Sequence, residues 1–338
     1  MTSPAAPQPR RAKPSPLQHT LSSQCGSALS TVLLYPVDVL RVRFMSQDGT
    51  PGRRHNGQTY RSVLGSARAI YAAEGGGAFF RGCHVAVLGS VAAWGIYMYL
   101  YRQLLEGYTA QLAPLLAPAD LTSGGKDSGG VSAALHHFTR RAGISILASA
   151  ASAVACNPIW LLKTRMQIEE YGSRAAAAAG PPRPRCYPSF SRGLAYAVRT
   201  AGVLSLWRGV SAQVLLSVPN AFNLPLYETL KLHLTAAARG EPLTLWEIFL
   251  CSTSAKMILS VFTHPIAVLK TRMQDYRALH GDVQYRRFVQ SFNLAWRRGG
   301  VWDLYRGIVP SIIHSTPRSV LLYVFYEQFC KIFSKVID

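Results

Sequence analysis

The chain has 338 residues, 49% apolar and only 15% charged, well short of the roughly 25% charge of a typical soluble protein. Its 36 basic residues outnumber 16 acidic ones, giving a net charge of +20, which points to a polyanionic partner: nucleic acid, anionic lipid or a phosphorylated metabolite. The six cysteines (Cys25, Cys83, Cys156, Cys186, Cys251 and Cys330) form no C-x-x-C pair and no zinc-spaced cluster with histidine, so no metal site is expected and they read as small buried hydrophobes.

Residues 1–16 hold Arg10, Arg11, Lys13 and several prolines, with no acid and no apolar core behind them. That excludes a secretory signal, and a disordered basic tail is expected. Residues 17–106 follow as a first unit. It has an interrupted apolar stretch, Leu17–Leu40, and then Cys83–Tyr101 without a single Asp, Glu, Lys or Arg. Residues 107–131 are rich in Gly, Ser and Pro and read as a flexible linker. A second unit, 132–234, holds two uncharged stretches, Ala142–Leu162 and Gly209–Tyr227, separated by an insertion at 171–188 with an alanine run and several prolines. A third unit, 235–334, holds two interrupted stretches, Leu243–Leu269 and Gly307–Phe329. Each of the six approaches the ~20 residues needed to span a bilayer. The charges inside the interrupted stretches, Asp38, Glu247, Lys256, Arg318 and Glu327, are costly against lipid and should face a polar cavity between helices.

One pattern occurs three times. It reads Pro36-Val-Asp38-Val-Leu-Arg41-Val-Arg43, then Pro158-Ile-Trp160-Leu-Leu-Lys163-Thr-Arg165-Met-Gln167, then Pro265-Ile-Ala267-Val-Leu-Lys270-Thr-Arg272-Met-Gln274. Each copy is followed by an aromatic-Arg-Gly: Phe80-Arg81-Gly82, Trp207-Arg208-Gly209 and Tyr305-Arg306-Gly307. These residues resemble the mitochondrial carrier family, whose pattern is Pro-x-(Asp/Glu)-x-x-(Lys/Arg)-x-(Lys/Arg), then (Asp/Glu)-Gly and an aromatic-(Lys/Arg)-Gly. Glu74-Gly75 fits fully, whereas Ala201-Gly202 and Gly299-Gly300 lack the acid. The resemblance spans about residues 17–334. It implies an all-α membrane protein of six transmembrane helices in three pseudo-symmetric repeats, each with a short matrix helix. It also implies a monomer in a bilayer containing cardiolipin, with a small anionic substrate and neither a cofactor nor nucleic acid as partner. No catalytic cluster is visible, so an enzyme is not expected.

A helical proline removes a hydrogen bond and kinks the helix. An acid and a base three residues apart share one face. Three kinked helices can therefore converge in a ring of ion pairs, which resembles the family's matrix gate. Here the ring is depleted, because Trp160 and Ala267 replace two acids. Asp38–Lys163 is the one full pair expected, with Arg41 and Lys270 lacking carboxylates and Gln167 and Gln274 as braces. At the other end the family's cytoplasmic gate pattern is matched by Tyr227, Glu228 and Lys231 and half matched by Tyr326 and Glu327, so that gate also reads as weak.

Asn157-Pro158-Ile159-Trp160 is similar to the branch carrying folate, flavin adenine dinucleotide (FAD), pyrimidine nucleotides and nicotinamide adenine dinucleotide (NAD). Ser254-Ala255-Lys256-Met257-Ile258, Trp94-Gly95-Ile96-Tyr97 and Thr316-Pro317 resemble the folate and FAD members in particular. The family's contact positions fall on Gly89, Leu216 (Leu215 if aligned from the acid) and His314. Gly89 would leave room for a ring, and the leucines would pack against it. Arg318, one turn from His314, would supply an anion contact. Residues 256, 260, 263, 267 and 270 form one helical stripe, which places Lys256 in the cavity above Lys270. Trp94 is a candidate stacking residue. The expected function is alternating-access transport of an anionic cofactor or nucleotide across the mitochondrial inner membrane, folate or FAD first. Pyrimidine nucleotides, NAD or another small solute, and a peroxisomal location, stay open. A basic nucleic-acid-binding protein is the contrasting class, and no nucleic-acid motif supports it.

Overall fold

A computed structural model describes residues 16–55, 58–107, 129–170, 186–221, 226, 230, 245–278 and 284–337. Among them the chain is helical and no strand forms. Repeat 1 contributes α1 (Pro16–Ser46), α2 (Val63–Glu74) and α3 (Cys83–Gly107). Repeat 2 contributes α4 (Gly129–Ile168), α5 (Phe190–Ala201), α6 (Val210–Leu215) and α7 (Ser217–Ala221). Repeat 3 contributes α8 (Leu245–Gln274), α9 (Phe288–Leu304) and α10 (Ile308–Ile337).

Stretches within Leu21–Ser46, Gly76–Gly107 and Ala142–Ile168 are long and apolar enough to cross a bilayer. The chain bends by 114° between α5 and the run Val203–Pro219, so α5 turns away from the short helices α6 and α7 that follow it. The helices are two-faced. On α4, Ser145, Ser149 and Ser152 form one stripe facing an interior cavity, while Leu147 and Val154 are exposed on the outside. On α1, Ser23, Gln24 and Ser27 face in and Leu29, Val32 and Leu33 face out. This reversal of the soluble pattern is what a lipid exterior and a watery interior require. α1 packs along α10 and α3 along α4, closing the ring of helices.

The threefold repeat extends to single hydrogen bonds. The residue before each motif proline binds the carbonyl of its own repeat's aromatic-Arg-Gly arginine. The Tyr35 hydroxyl donates to Arg81 O at 2.8 Å, Asn157 Nδ2 to Arg208 O at 3.3 Å, and His264 Nε2 to Arg306 O at 3.1 Å. Gly82, Gly209 and Gly307 follow at φ of 78°, 76° and 83°, which strains any residue with a Cβ. A Cβ there would also sit 3.0–3.2 Å from the neighbouring repeat, at Met166, Gln274 and Phe44 respectively.

The second base of each motif is buried and reaches into the next repeat. Arg43 Nε donates to Gln167 O, Arg165 Nε to Gln274 O, and Arg272 Nε to Met45 O, at 3.0–3.2 Å. Arg43 binds both carboxylate oxygens of Glu74, which also takes Arg81. Arg272 binds both oxygens of Asp303, which also takes Arg306. The sequence showed no acid in repeat 3 because Asp303 lies three residues beyond the expected glycine. Gly300, at φ 60° and ψ −151°, breaks α9 and lets Asp303 swing into the same place. In repeat 2, Arg165 meets the Tyr187 hydroxyl at 2.9 Å, and no carboxylate lies within ion-pair distance among the described residues.

Removing one partner of a buried ion pair costs about 3–5 kcal/mol. Asp303→Asn is therefore expected to lower the thermal unfolding midpoint of the detergent-solubilised protein by at least ~5 °C. A midpoint within 1 °C or so of the parent would show that Arg272 does not depend on Asp303.

Candidate functional site

The three motif helices α1, α4 and α8 meet at one end of the bundle, and Asp38 is the carboxylate there. Its Oδ2 accepts from Lys163 Nζ at 2.7 Å and from Gln167 Nε2 at 2.9 Å. Its Oδ1 lies 3.8 Å from Arg41 and 3.9 Å from His314 Nε2. The expected Asp38–Lys163 pair and its Gln167 brace are thus present. Arg41 departs from expectation, because a full helical turn brings it to its own repeat's Asp38. It also contacts His314 Nδ1 at 3.4 Å. No carboxylate lies within ion-pair distance of Lys270 among the described residues. Trp160, standing where the repeat pattern has an acid, sets its ring 5.5 Å from Lys163 Nζ. That supplies a cation–π contact instead of a charge. Gln274 does not brace Lys270. It accepts from Thr164 and donates to Asn157, because its side chain turns across to α4.

Beyond this layer lies a cavity of about 660 Å³, a size suited to an organic ligand. Its walls carry many hydroxyl and amide groups: Ser23, Gln24 and Ser27 from α1, Ser145, Ser149 and Ser152 from α4, and Gln213 and Ser217 from α6 and α7. Trp94 and Tyr97 of α3 supply aromatic faces 5.5 Å apart, centroid to centroid, and the Tyr97 hydroxyl lies 3.0 Å from Ser145 Oγ. Trp160 and Arg318 form the floor, and Arg318 is the one charged lining side chain among the described residues. A narrow space of about 30 Å³ continues from Arg318 past His314 to Asp38 and Lys163.

The structure redistributes several expected contacts. Trp94 and Arg318 line the cavity as expected. Gly89 is buried, and a Cβ there would meet Ile159 at 3.1 Å and Trp160 at 3.6 Å. The room it leaves is filled by this chain's own indole, so it is a helix-packing glycine. Neither Leu215 nor Leu216 lines the cavity; the helix turn presents Gln213 and Ser217 instead. Lys256 lies in a separate cleft with Thr253, Met257, Ser315 and Thr316, because its stripe on α8 turns toward α10. His314 belongs to the Asp38 layer. Tyr227, Glu228 and Lys231 lie outside the described residues, as does the side chain of Glu327; Tyr326 is half-buried on α10. The serine stripe was missed in the sequence, although its signal was there: Ser145, Ser149 and Ser152 recur at i+4 and i+3 in an otherwise apolar run.

An apolar ring of helices with a hydroxyl-lined interior, closed at one end by ion-paired side chains, is the architecture of a membrane transporter built from repeats. Residues 12–111, 135–237 and 241–336 each match the mitochondrial carrier protein family, and the chain belongs to that family. It is 26% identical over 322 residues to mitochondrial substrate carrier family protein M of Dictyostelium discoideum, covering 94% of this chain and 96% of that one. It is 24% identical over 326 residues to the mitochondrial FAD carrier protein of Saccharomyces cerevisiae, covering 93% and 96%. It is 26% identical over 316 residues to the chloroplastic folate transporter 1 of Arabidopsis thaliana, covering 88% and 90%.

Asp38 holds Lys163, Gln167 and Arg41 together, so Asp38→Asn leaves several cations facing one another. It is expected to destabilise the solubilised protein by about 3–5 kcal/mol, read as a lower thermal midpoint that recovers in part at high salt. An unchanged midpoint would remove Asp38 from its place at the centre of the layer.

Proposed function

We propose that this carrier moves an anionic cofactor, folate or FAD, across the mitochondrial inner membrane by alternating access around the central cavity. The observation that carries the reading is the charge at the cavity floor. Among the described residues Asp38 is the one carboxylate beside Arg41 and Lys163, with Arg318 on the cavity wall next to them, so the floor is net cationic and favours an anion. Trp94 and Tyr97 offer ring faces for a pterin, flavin or adenine, and the serines offer partners for hydroxyl or amide groups. Relatives named for FAD and folate support this choice. Others named for NAD and pyrimidine nucleotides keep those substrates as the second reading.

In this reading the Asp38 layer, with Arg41, Trp160, Lys163, Gln167 and Lys270, is the matrix gate. It is closed here, and the cavity faces the cytoplasmic side. Tyr227, Glu228, Lys231, Tyr326 and Glu327 form the opposite gate. Each gate is short of ion pairs, so exposed charges compete little with the substrate's own. Substrate binding then supplies much of the energy that rearranges the bundle.

Purified protein in liposomes is expected to take up labelled folate or FAD with saturation. Uptake of none of the cofactors, or of pyrimidine nucleotides alone, would overturn the assignment. A charged hydrogen bond contributes ~1.5–3 kcal/mol, so Arg318→Gln is expected to lower kcat/KM at least about tenfold. Lys256→Ala, acting from the separate cleft, has the smaller effect. The reverse ranking would move the anion contact to α8.

A further inference from the structure

We propose a second lock at the closed end, beyond the Asp38 layer, in which two ion pairs and one neutral imidazole–carboxylate contact tie each repeat to the next and must part each time the carrier opens toward the matrix. It rests on the carrier reading above.

The residues follow the ends of the three motif helices. Asp48, Arg53 and His55 follow α1, Glu170 follows α4, and Asp275 and Arg277 follow α8. One contact spans each pair of repeats. His55 Nδ1 lies 2.9 Å from Glu170 Oε1, joining repeats 1 and 2. Arg277 lies 3.8 Å from the same oxygen, joining repeats 2 and 3. Arg53 lies 3.7 Å from Asp275 Oδ2, joining repeats 3 and 1. Within repeats, Arg53 meets Asp48 at 3.3 Å and Arg277 meets Asp275 at 3.1 Å. The triangle is therefore closed, whereas the Asp38 layer has one carboxylate where the repeat pattern would place three.

The charges nearly cancel. Burial pushes the Asp275 carboxyl up, but Arg277 and Arg53 outweigh it and hold it below the ordinary range. Asp48 is likewise held low against burial by Thr50 and Arg53. Burial takes the His55 imidazole down to about 4, so it is neutral at physiological pH. Three carboxylates then face two guanidinium groups.

The fit is close but incomplete. Arg53 is only 3% exposed, yet neither of its terminal nitrogens has a hydrogen-bond partner among the described residues. Its guanidinium lies over the Tyr285 ring at 4.4 Å. A purely structural buried arginine would normally have its donors satisfied, as Arg272 does through Asp303 and Gln47 O. An under-bonded charge is costly to keep buried, which makes this cluster easier to open than the Arg43, Arg165 and Arg272 ring above it. Three helices whose ends are tied in a cycle cannot separate singly. The lock thus couples the repeats and adds closing strength where the Asp38 layer is depleted.

The test uses Ser90→Cys as a reporter, since Ser90 lines both the cavity and the space at Asp38. The full chain is placed in liposomes of known orientation, without substrate. A membrane-impermeant maleimide is added from the closed face, and modification of residue 90 is read by peptide mass spectrometry. Asp275→Asn or Glu170→Gln is expected to raise closed-face labelling at least fivefold. Arg53→Lys, which keeps the charge and loses the fork, should give an intermediate rise and serves if the others fail to fold. Folded variants labelled at the parent's rate would overturn the lock. Labelling from neither face in any variant would instead overturn the carrier reading, because no path would run through the bundle.

Discussion

Everything at the closed end depends on three buried arginines, each donating to a backbone carbonyl of the next repeat. Arg43, Arg165 and Arg272 end the motif helices, and the carbonyls of Gln167, Gln274 and Met45 receive them. A guanidinium carries five donors in a fixed plane, so one side chain can hold its own repeat's acid and its neighbour's backbone together. The cycle closes only after three such steps. The Asp38 layer, the cavity floor and the outer ion triangle are all positioned by this ring. Repeat 2 keeps the hook without the acid and uses the Tyr187 hydroxyl, which shows that the backbone contact is the shared element.

Much of this was legible in the sequence, for reasons that can be named. Proline at a fixed distance from an aromatic-Arg-Gly is a backbone requirement, and such requirements leave a strong trace. The glycines must adopt positive φ, and the prolines break the helical hydrogen-bond ladder. Asp38–Lys163 was legible because the acid survives at its place in the motif. What failed was legibility by alignment where geometry shifts. Asp303 replaces an acid from three residues away, once Gly300 breaks α9. Gly89 was read as space, but a gap in a sequence says nothing of what fills it, and Trp160 does. Lys256 was placed by a straight-helix stripe. That stripe fixes a face of α8, while the neighbouring α10 decides whether that face meets the cavity.

The cavity combines neutral walls with a charged floor. Its walls are neutral and hydroxyl-rich, which keeps the helices tolerable to lipid outside and water inside. The charge of the cavity itself lies at its floor, where Arg318 lines it and, among the described residues, one carboxylate is shared by Lys163 and Arg41. In the proposed reading, a substrate anion arriving there would complete the charge balance that Trp160 and Ala267 leave open. On that reading, depletion of the gate and attraction of an anion would be one property, traced to the same two positions.

The most direct test is ligand-induced thermal stabilisation of the solubilised protein. Folate, FAD and their neutral ester or dephosphorylated analogues are compared at matched concentration. A ligand at a hundredfold excess over its Kd stabilises by about 2.7 kcal/mol, so a binding anion should raise the midpoint by several degrees while its neutral analogue leaves it nearly unchanged. Equal shifts from charged and neutral forms, or no shift from any anionic cofactor, would contradict a floor built to bind an anion.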